Sequence, residues 1–162
     1  MYKDELEVIS QAILNEVEGY EFYKIAAENG PLSNKEAFME LANEELKHVE
    51  YLRALFDKLK TSKDDDIKLA FDKKPPSPNI YQWNKVESQY NSMIMSVFSI
   101  GMQMEKDSIK FYEEAKKKTN IEEAKSLFDL LIKWEYVHLE QFSEQYEMYR
   151  QQWWDEQNFS PF

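Results

Sequence analysis

Apolar residues recur every three or four positions over two long stretches in the first half of the chain, which is the period of an α-helix with one buried face. The first predicted helix runs from Asp4 to Glu28 and ends at Gly30-Pro31, a pair that stops a helix. The second begins near Asn34, because Ser33 and Glu36 have the spacing of a capping box. The stripes consist of Leu6, Ile9, Ile13, Tyr20, Tyr23 and Ala27 in the first helix, and of Phe38, Leu41, Glu45, His48, Leu52, Leu55 and Leu59 in the second.

The same periodicity returns in the second half of the chain. A third helix is predicted from Ser92 to Lys118, where a run of lysines suits the negative end of the helix dipole. A fourth is predicted to follow two overlapping capping boxes in residues 119–123 and to run to about Arg150. Their stripes consist of Met95, Phe98, Met102, Glu105, Ile109 and Tyr112 in the third helix, and of Leu127, Leu131, Glu135, His138, Phe142 and Tyr146 or Tyr149 in the fourth.

Residues 61–90 interrupt the pattern with the run Asp64-Asp65-Asp66 and the run Pro75-Pro76-Ser77-Pro78, and a helix cannot cross these prolines. We interpret them as a crossover connection with a short helix near Asp65 to Phe71. A connection of this length allows two helical hairpins to pack in one bundle with the second hairpin reversed. The predicted fold is therefore all-α: a four-helix bundle over residues 1–150, two helical hairpins joined by a long crossover, and an aromatic C-terminal tail at 151–162 that is not helical throughout.

The amino-acid composition limits which partners the protein can bind and where in the cell we expect it. The 162 residues suffice for one domain with a real core, and the net charge of −11 argues against nucleic acid and anionic membranes as partners. The absence of cysteine excludes disulfides and thiolate metal sites. The acidic N-terminus has no apolar run of the signal-peptide type, and no stretch is apolar enough to span a bilayer, so we expect a cytoplasmic protein.

The two histidines of the chain end the same four-residue phrase, Glu-x-x-His, at Glu45 to His48 and at Glu135 to His138. Positions three apart point the same way on a helix, so each phrase offers a carboxylate and an imidazole to one point. The preceding helices also match each other: Glu16 is followed by Phe22-Tyr23, and Glu105 by Phe111-Tyr112, at the same distance. The chain is therefore a helical hairpin written twice.

The repeat yields six candidate metal ligands on apolar stripes: Glu16, Glu45, His48, Glu105, Glu135 and His138. Four carboxylates facing a core are costly unless cations neutralise them, and two divalent ions carry the matching charge. Oxygen-rich ligands with one imidazole per metal favour iron or manganese. The alternative is a metal-free bundle in which each pair is solvated. Tyr23 and Tyr112, two turns along from Glu16 and Glu105, either donate hydrogen bonds to ligating carboxylates or simply pack.

This ligand set is the known pattern of ferritin-like di-iron proteins, with one Glu from each of two helices and Glu-x-x-His from the other two. The chain resembles the rubrerythrin-like family within that superfamily, in the Glu-x-x-Gly-x-x-Phe-Tyr phrase from Glu16 to Tyr23 and the Leu-Ala-x-Glu-Glu-x-x-His phrase from Leu41 to His48. The resemblance implies that Glu45 and Glu135 bridge two metals, that Glu16 and Glu105 are terminal ligands, and that His48 and His138 bind one metal each.

Two features depart from rubrerythrins proper. Ser108 stands where that family has an extra carboxylate one turn after the third-helix ligand, which puts redox-linked ligand exchange in doubt. The cysteine-containing rubredoxin domain is also missing, so electrons must come from an external electron-donor protein.

The function that the resemblance implies is a non-haem di-iron oxidoreductase that reduces hydrogen peroxide or dioxygen, with a role in oxidative stress. Its cofactor would be two iron ions, with manganese or a mixed Fe/Mn pair possible and zinc able to substitute in purified protein. The alternatives are a ferritin-like ferroxidase or iron-storage protein, and a non-catalytic interaction module that uses metal as a staple. The aromatic tail from Trp153 to Phe162 motivates the second alternative, since such a segment covers an apolar patch on its own or a symmetry-related subunit or docks to a different partner. We expect a homodimer or small homo-oligomer.

Overall fold

The computed structural model describes residues 2–61 and 74–157. Within those ranges the chain forms four long helices, which confirms the predicted all-α bundle. They are α1 (Lys3–Asn29), α2 (Lys35–Thr61), α3 (Asn91–Lys118) and α4 (Glu122–Glu156), with short 3-10 turns at Leu32–Asn34, Pro78–Ile80 and Ser88–Tyr90.

The start of α4 differs from the prediction. The residue that caps it is Ile121, which makes no side-chain capping hydrogen bond. Thr119 does not cap the helix but accepts a hydrogen bond on Oγ1 from the backbone N–H of Ile121, at 3.2 Å. Both residues are buried, so the packing of Ile121 into the core sets where the helix begins.

The end of α4 also differs, because the helix continues to Glu156, six residues beyond Arg150. Nothing between Arg150 and Glu156 is a glycine or a proline, so nothing in that stretch stops the helix. The first residues of the predicted tail, including Trp153 and Trp154, are therefore helical, and residues 158–162 lie outside the described ranges.

The two hairpins pack across each other. α1 packs along α2 and α3 along α4, while α1 faces α3 and α2 faces α4 between the hairpins. On facing helices, Glu16 lies opposite Tyr112 and Tyr23 opposite Glu105, so α1 and α3 run antiparallel. This is the reversed packing that a long connection permits, and it relates the halves by a pseudo-twofold axis through the middle of the bundle.

Several hydrogen bonds fasten the second half of the crossover to the bundle, and three of them link Asn34, Asn84 and Tyr149. The backbone N–H of Asn84 donates to Asn34 Oδ1 at 2.8 Å, and the Tyr149 hydroxyl donates to the Asn84 carbonyl at 2.8 Å. Asn34 Nδ2 in turn donates to the Tyr149 hydroxyl at 3.2 Å. The crossover is thus tied to the start of α2 and to α4, while the short helix predicted near Asp65 to Phe71 lies outside the described residues.

The core is divided into two apolar clusters with a polar layer between them. One cluster comprises Tyr2, Ile9, Ala12, Leu52, Leu55, Leu59, Ile109, Tyr112, Ala115, Ile121, Ala124, Leu127, Phe128, Leu131 and Ile132, and the other Tyr23, Ala26, Ala27, Phe38, Leu41, Ala42, Tyr81, Val86, Ile94, Phe98, Phe142 and Tyr149.

In the described residues, no helix is both long enough and apolar enough to span a lipid bilayer.

Candidate metal centre

The structure brings the six candidate ligands together in the layer between the two apolar clusters. α1 and α3 each supply one glutamate, and α2 and α4 each supply a glutamate and a histidine one turn apart. None of the six is more than 3% exposed: Glu16 2%, Glu45 3%, His48 0%, Glu105 2%, Glu135 1% and His138 0%. Four carboxyl groups are therefore held away from water at the centre of the bundle.

The six side chains form two overlapping groups of four. Within each group, one ligand atom from every residue lies within 4.8 Å of the others. The groups share Glu45 and Glu135, and each adds one further glutamate and one histidine: the first comprises Glu16, Glu45, His48 and Glu135, and the second Glu45, Glu105, Glu135 and His138. Two carboxylates are thus placed to touch both positions, and two are placed to touch one each.

Both imidazoles present Nδ1 to the carboxylates. His48 Nδ1 lies 3.2 Å from Glu16 Oε2 and 3.0 Å from Glu135 Oε1. His138 Nδ1 lies 3.3 Å from Glu45 Oε1 and 3.3 Å from Glu105 Oε1. The ring centroids are 6.3 Å apart with the rings nearly parallel, so the two positions face each other across the shared carboxylates.

The pKa values of the side chains at the centre are shifted by their burial and by the charges of their neighbours. Burial and the nearby charge of Glu45 raise the pKa of Glu16 from 4.5 to about 8. Burial by itself would lower the pKa of His48, but the facing carboxylates of Glu16 and Glu135 raise it well above its usual value. Without another cation, the centre therefore gathers protons to offset its carboxylate charge.

The donor set fits a pair of divalent cations. Among the described residues, Glu45 Oε1, Glu105 Oε2, Glu135 Oε1 and His138 Nδ1 are buried without a hydrogen-bond partner. Glu45 Oε1 lies 3.3 Å from His138 Nδ1, and Glu135 Oε1 lies 3.0 Å from His48 Nδ1, but neither contact is a hydrogen bond. Buried polar atoms in this state are costly. Two divalent ions would satisfy them and cancel four carboxylate charges, and oxygen with imidazole nitrogen suits iron or manganese.

Two tyrosines cross between the halves to hold the terminal glutamates. Tyr23 of α1 donates to Glu105 Oε1 of α3 at 2.5 Å, and Tyr112 of α3 donates to Glu16 Oε1 of α1 at 2.5 Å. Each ring is also buried in one of the apolar clusters. The tyrosines thus do both things that the sequence allowed, and each holds the carboxylate of the opposite hairpin rather than the one on its own helix.

Gly19 of α1 lies beside the side chain of Glu45. A Cβ at position 19 would lie 3.5 Å from Glu45 Cδ, which is an ordinary van der Waals contact. The glycine of the Glu-x-x-Gly-x-x-Phe-Tyr phrase therefore faces the centre, and an alanine would fit at the same place.

The sequence did not indicate two residues next to the centre, Glu44 and Tyr81. Glu44 Oε2 lies 2.6 Å from His138 Nε2, and the Tyr81 hydroxyl donates to the same oxygen. A signal for Glu44 was its place beside Glu45, on the edge of the buried stripe. Nothing signalled Tyr81, because it lies in the crossover, where periodicity carries no information.

The two halves of the chain differ at the residue that precedes the glutamate of each Glu-x-x-His phrase. The residue before the ligating glutamate is Glu44 in the first half and Trp134 in the second. The Trp134 ring meets the His48 ring edge to face, with centroids 4.5 Å apart. His48 Nε2 is buried and has no hydrogen-bond partner among the described residues.

Comparison with known proteins agrees with this geometry. A family model described as Rubrerythrin matches residues 7–146. A solved structure of a hypothetical protein from Pyrococcus furiosus is similar with a TM-score of 0.68 and 27% identity, over 91% of this chain and 90% of that one. No curated protein matches the sequence.

Proposed function

The chain belongs to the rubrerythrin family, and on that premise we propose that it is a non-haem di-iron oxidoreductase that reduces hydrogen peroxide or dioxygen. One observation carries the proposal: two groups of four buried ligands share two carboxylates. A site for one metal ion would not need two ligand groups with shared members, whereas two ions a short distance apart require ligands that reach both of them.

The six residues would take three roles, each filled by a pair. Glu45 and Glu135 would bridge the two ions, because both belong to both groups. Glu16 and Glu105 would be terminal ligands, and the hydroxyls of Tyr112 and Tyr23 fix their orientation. His48 and His138 would each hold one ion through Nδ1, the nitrogen that faces the carboxylates.

When bound, two ferrous ions supply the two electrons that convert hydrogen peroxide and two protons to two molecules of water. The chain supplies the surroundings for that chemistry. The apolar clusters on either side exclude bulk water, and the buried tyrosine hydroxyls keep the terminal carboxylates from turning away. Tyr23 and Tyr112 lie near enough to the centre to hold protons there.

The oxidised centre needs electrons from outside its own ligand set. We propose that an external electron-donor protein re-reduces it, because this chain has no cysteine with which to build an iron–sulfur or rubredoxin-type relay. The cytoplasm is the proposed location and a homodimer or small homo-oligomer the proposed assembly. Manganese in one or both positions fits the same oxygen and nitrogen ligands.

The test is anaerobic loading with Fe(II) followed by hydrogen peroxide, with absorbance and residual peroxide recorded. We expect two irons per chain, oxidation within seconds, and one peroxide consumed per two irons. Glu45→Gln should abolish the paired stoichiometry, because it removes a shared carboxylate. Glu50→Gln is the matched control, since it removes the same charge from an exposed position on α2.

A protein that holds two ferrous ions and leaves peroxide unconsumed would refute the proposal. The ferroxidase alternative is tested by adding excess Fe(II) to the same protein in air and then running gel filtration. An iron-storage protein would form a mineral core and elute as a symmetric cage of about two dozen chains.

A further inference from the structure

We propose that Glu44 makes the two metal positions unequal, so that the position at His138 binds a divalent metal more tightly than the position at His48. The inference rests on the proposed di-metal centre and adds a positioning residue to it. The inference is drawn from one difference between the histidines: the Glu44 carboxylate contacts the outer nitrogen of His138, whereas the Trp134 indole packs against the ring of His48.

The contact on the His138 side fixes the state of the imidazole. Glu44 Oε2 lies 2.6 Å from Nε2, so Nε2 carries the proton and donates it to the carboxylate. The lone pair is then on Nδ1, the nitrogen that faces Glu45 and Glu105. A carboxylate behind a metal-binding histidine sets the tautomer, holds the ring plane and raises the basicity of the coordinating nitrogen.

Glu44 is itself held in place. The Tyr81 hydroxyl donates to the oxygen that meets His138, and only 11% of the Glu44 side chain is exposed. Tyr81 comes from the crossover and is 6% exposed. The carboxylate is therefore ordered by an element outside the four helices and is poorly hydrated, which strengthens its interaction with the imidazole.

The His48 side lacks this arrangement. The position equivalent to Glu44 is Trp134, whose ring packs edge to face against His48. Among the described residues, no group accepts a hydrogen bond from His48 Nε2. No carboxylate at the outer nitrogen Nε2 sets the tautomer of His48 or strengthens its Nδ1 as a donor, so this Nδ1 is the weaker ligand.

The remaining ligands are balanced between the positions. Each position has one terminal glutamate with a tyrosine donor at 2.5 Å, and both share Glu45 and Glu135. The carboxylate count is therefore equal, and the difference between the positions falls on the outer nitrogen of each histidine.

The test measures Co(II) affinity by its visible absorption in chains with one position disabled. His48→Ala leaves the His138 position, and His138→Ala leaves the His48 position. We expect Glu44→Gln to weaken Co(II) binding by about 10- to 100-fold in the His48→Ala chain and to leave the His138→Ala chain nearly unchanged. Tyr81→Phe should weaken the His48→Ala chain to a lesser degree, because it frees Glu44 without removing it.

Glu50→Gln is again the matched control and should change neither position. Circular dichroism verifies that each chain is folded, and stepwise Co(II) titration of the otherwise native chain gives a second measurement in which Glu44→Gln should narrow the gap between the two binding steps. Equal losses at both positions, or no loss at either, would overturn the inference while leaving a two-metal centre intact. A native chain that binds no Co(II), Fe(II) or Mn(II) would overturn the proposed function as well.

Discussion

Individual side chains at the centre are held by partners that lie far away in sequence. Tyr23 and Glu105 are separated by 82 positions, and Tyr112 and Glu16 by 96. The tyrosine hydroxyls therefore join the two hairpins as well as orienting the carboxylates.

Replacing these tyrosines tests that role. Tyr23→Phe and Tyr112→Phe should each lower the free energy of unfolding by about 1–3 kcal/mol, because a buried carboxyl oxygen loses its donor. Urea denaturation of the metal-free protein measures the loss, and Tyr136→Phe, at an exposed ring, is the control. Phenylalanine variants as stable as the native chain would show that the hydroxyls do not join the hairpins.

At the same scale, the sequence predicts the candidate ligands better than their surroundings. Glu-x-x-His occurs twice at helical spacing on an apolar stripe, and such a local spacing can be recognised without knowledge of the tertiary structure. The partnership of Glu44 with His138 spans 94 positions, and that of Tyr81 with Glu44 depends on where an irregular segment lies. Neither follows from periodicity.

Among the elements, helix interiors follow the hydrophobic pattern, whereas the start of α4 and its end at Glu156 differ from the prediction. A capping box is a local signal, and the burial of Ile121 overrides it at α4. The crossover is the element that sequence describes least, yet Tyr81 and Val86 belong to the core. Its place is fixed by the hydrogen bonds of Asn34 and Tyr149 with the Asn84 backbone and by the hydrogen bond of its own Tyr81 with Glu44.

Asn34→Ala should release the crossover. The substitution removes the acceptor for the Asn84 N–H and the donor to the Tyr149 hydroxyl, so we expect a loss of about 1–3 kcal/mol in unfolding free energy. Amide exchange at residues 81–86 should also accelerate. Hydrogen exchange with mass spectrometry measures both against Asn43→Ala, an exposed position on α2. Unchanged protection at 81–86 would mean that the other contacts of the segment, such as those of Tyr81 and Tyr149, hold it without Asn34.

At the scale of the whole molecule, a charged layer divides a core that would otherwise be continuous. The metal-free fold must keep four carboxyl groups buried between two apolar clusters. We therefore expect metal binding to stabilise the entire bundle, by about 2.7 kcal/mol for each occupied site at a free concentration one hundred times Kd.

The pH dependence of that stabilisation has a definite sign. The pKa of Glu16 is raised from 4.5 to about 8 in the folded chain, so the metal-free fold loses stability as pH rises across that interval. Metal binding requires deprotonated carboxylates and tightens with rising pH. The gap in Tm between Mn(II)-loaded and chelator-treated protein should widen from about pH 5 to about pH 8. Glu16→Gln should flatten the trend of the metal-free form, and a gap that stays constant with pH would contradict this assignment.

The pseudo-twofold arrangement of the hairpins also bears on the order of events during folding. Each hairpin is local and can form early, but each ligand group draws on both of them. On the proposed function, capture of a metal ion reports the docking of the two hairpins, because a nascent chain offers no complete binding set until α4 has joined the bundle.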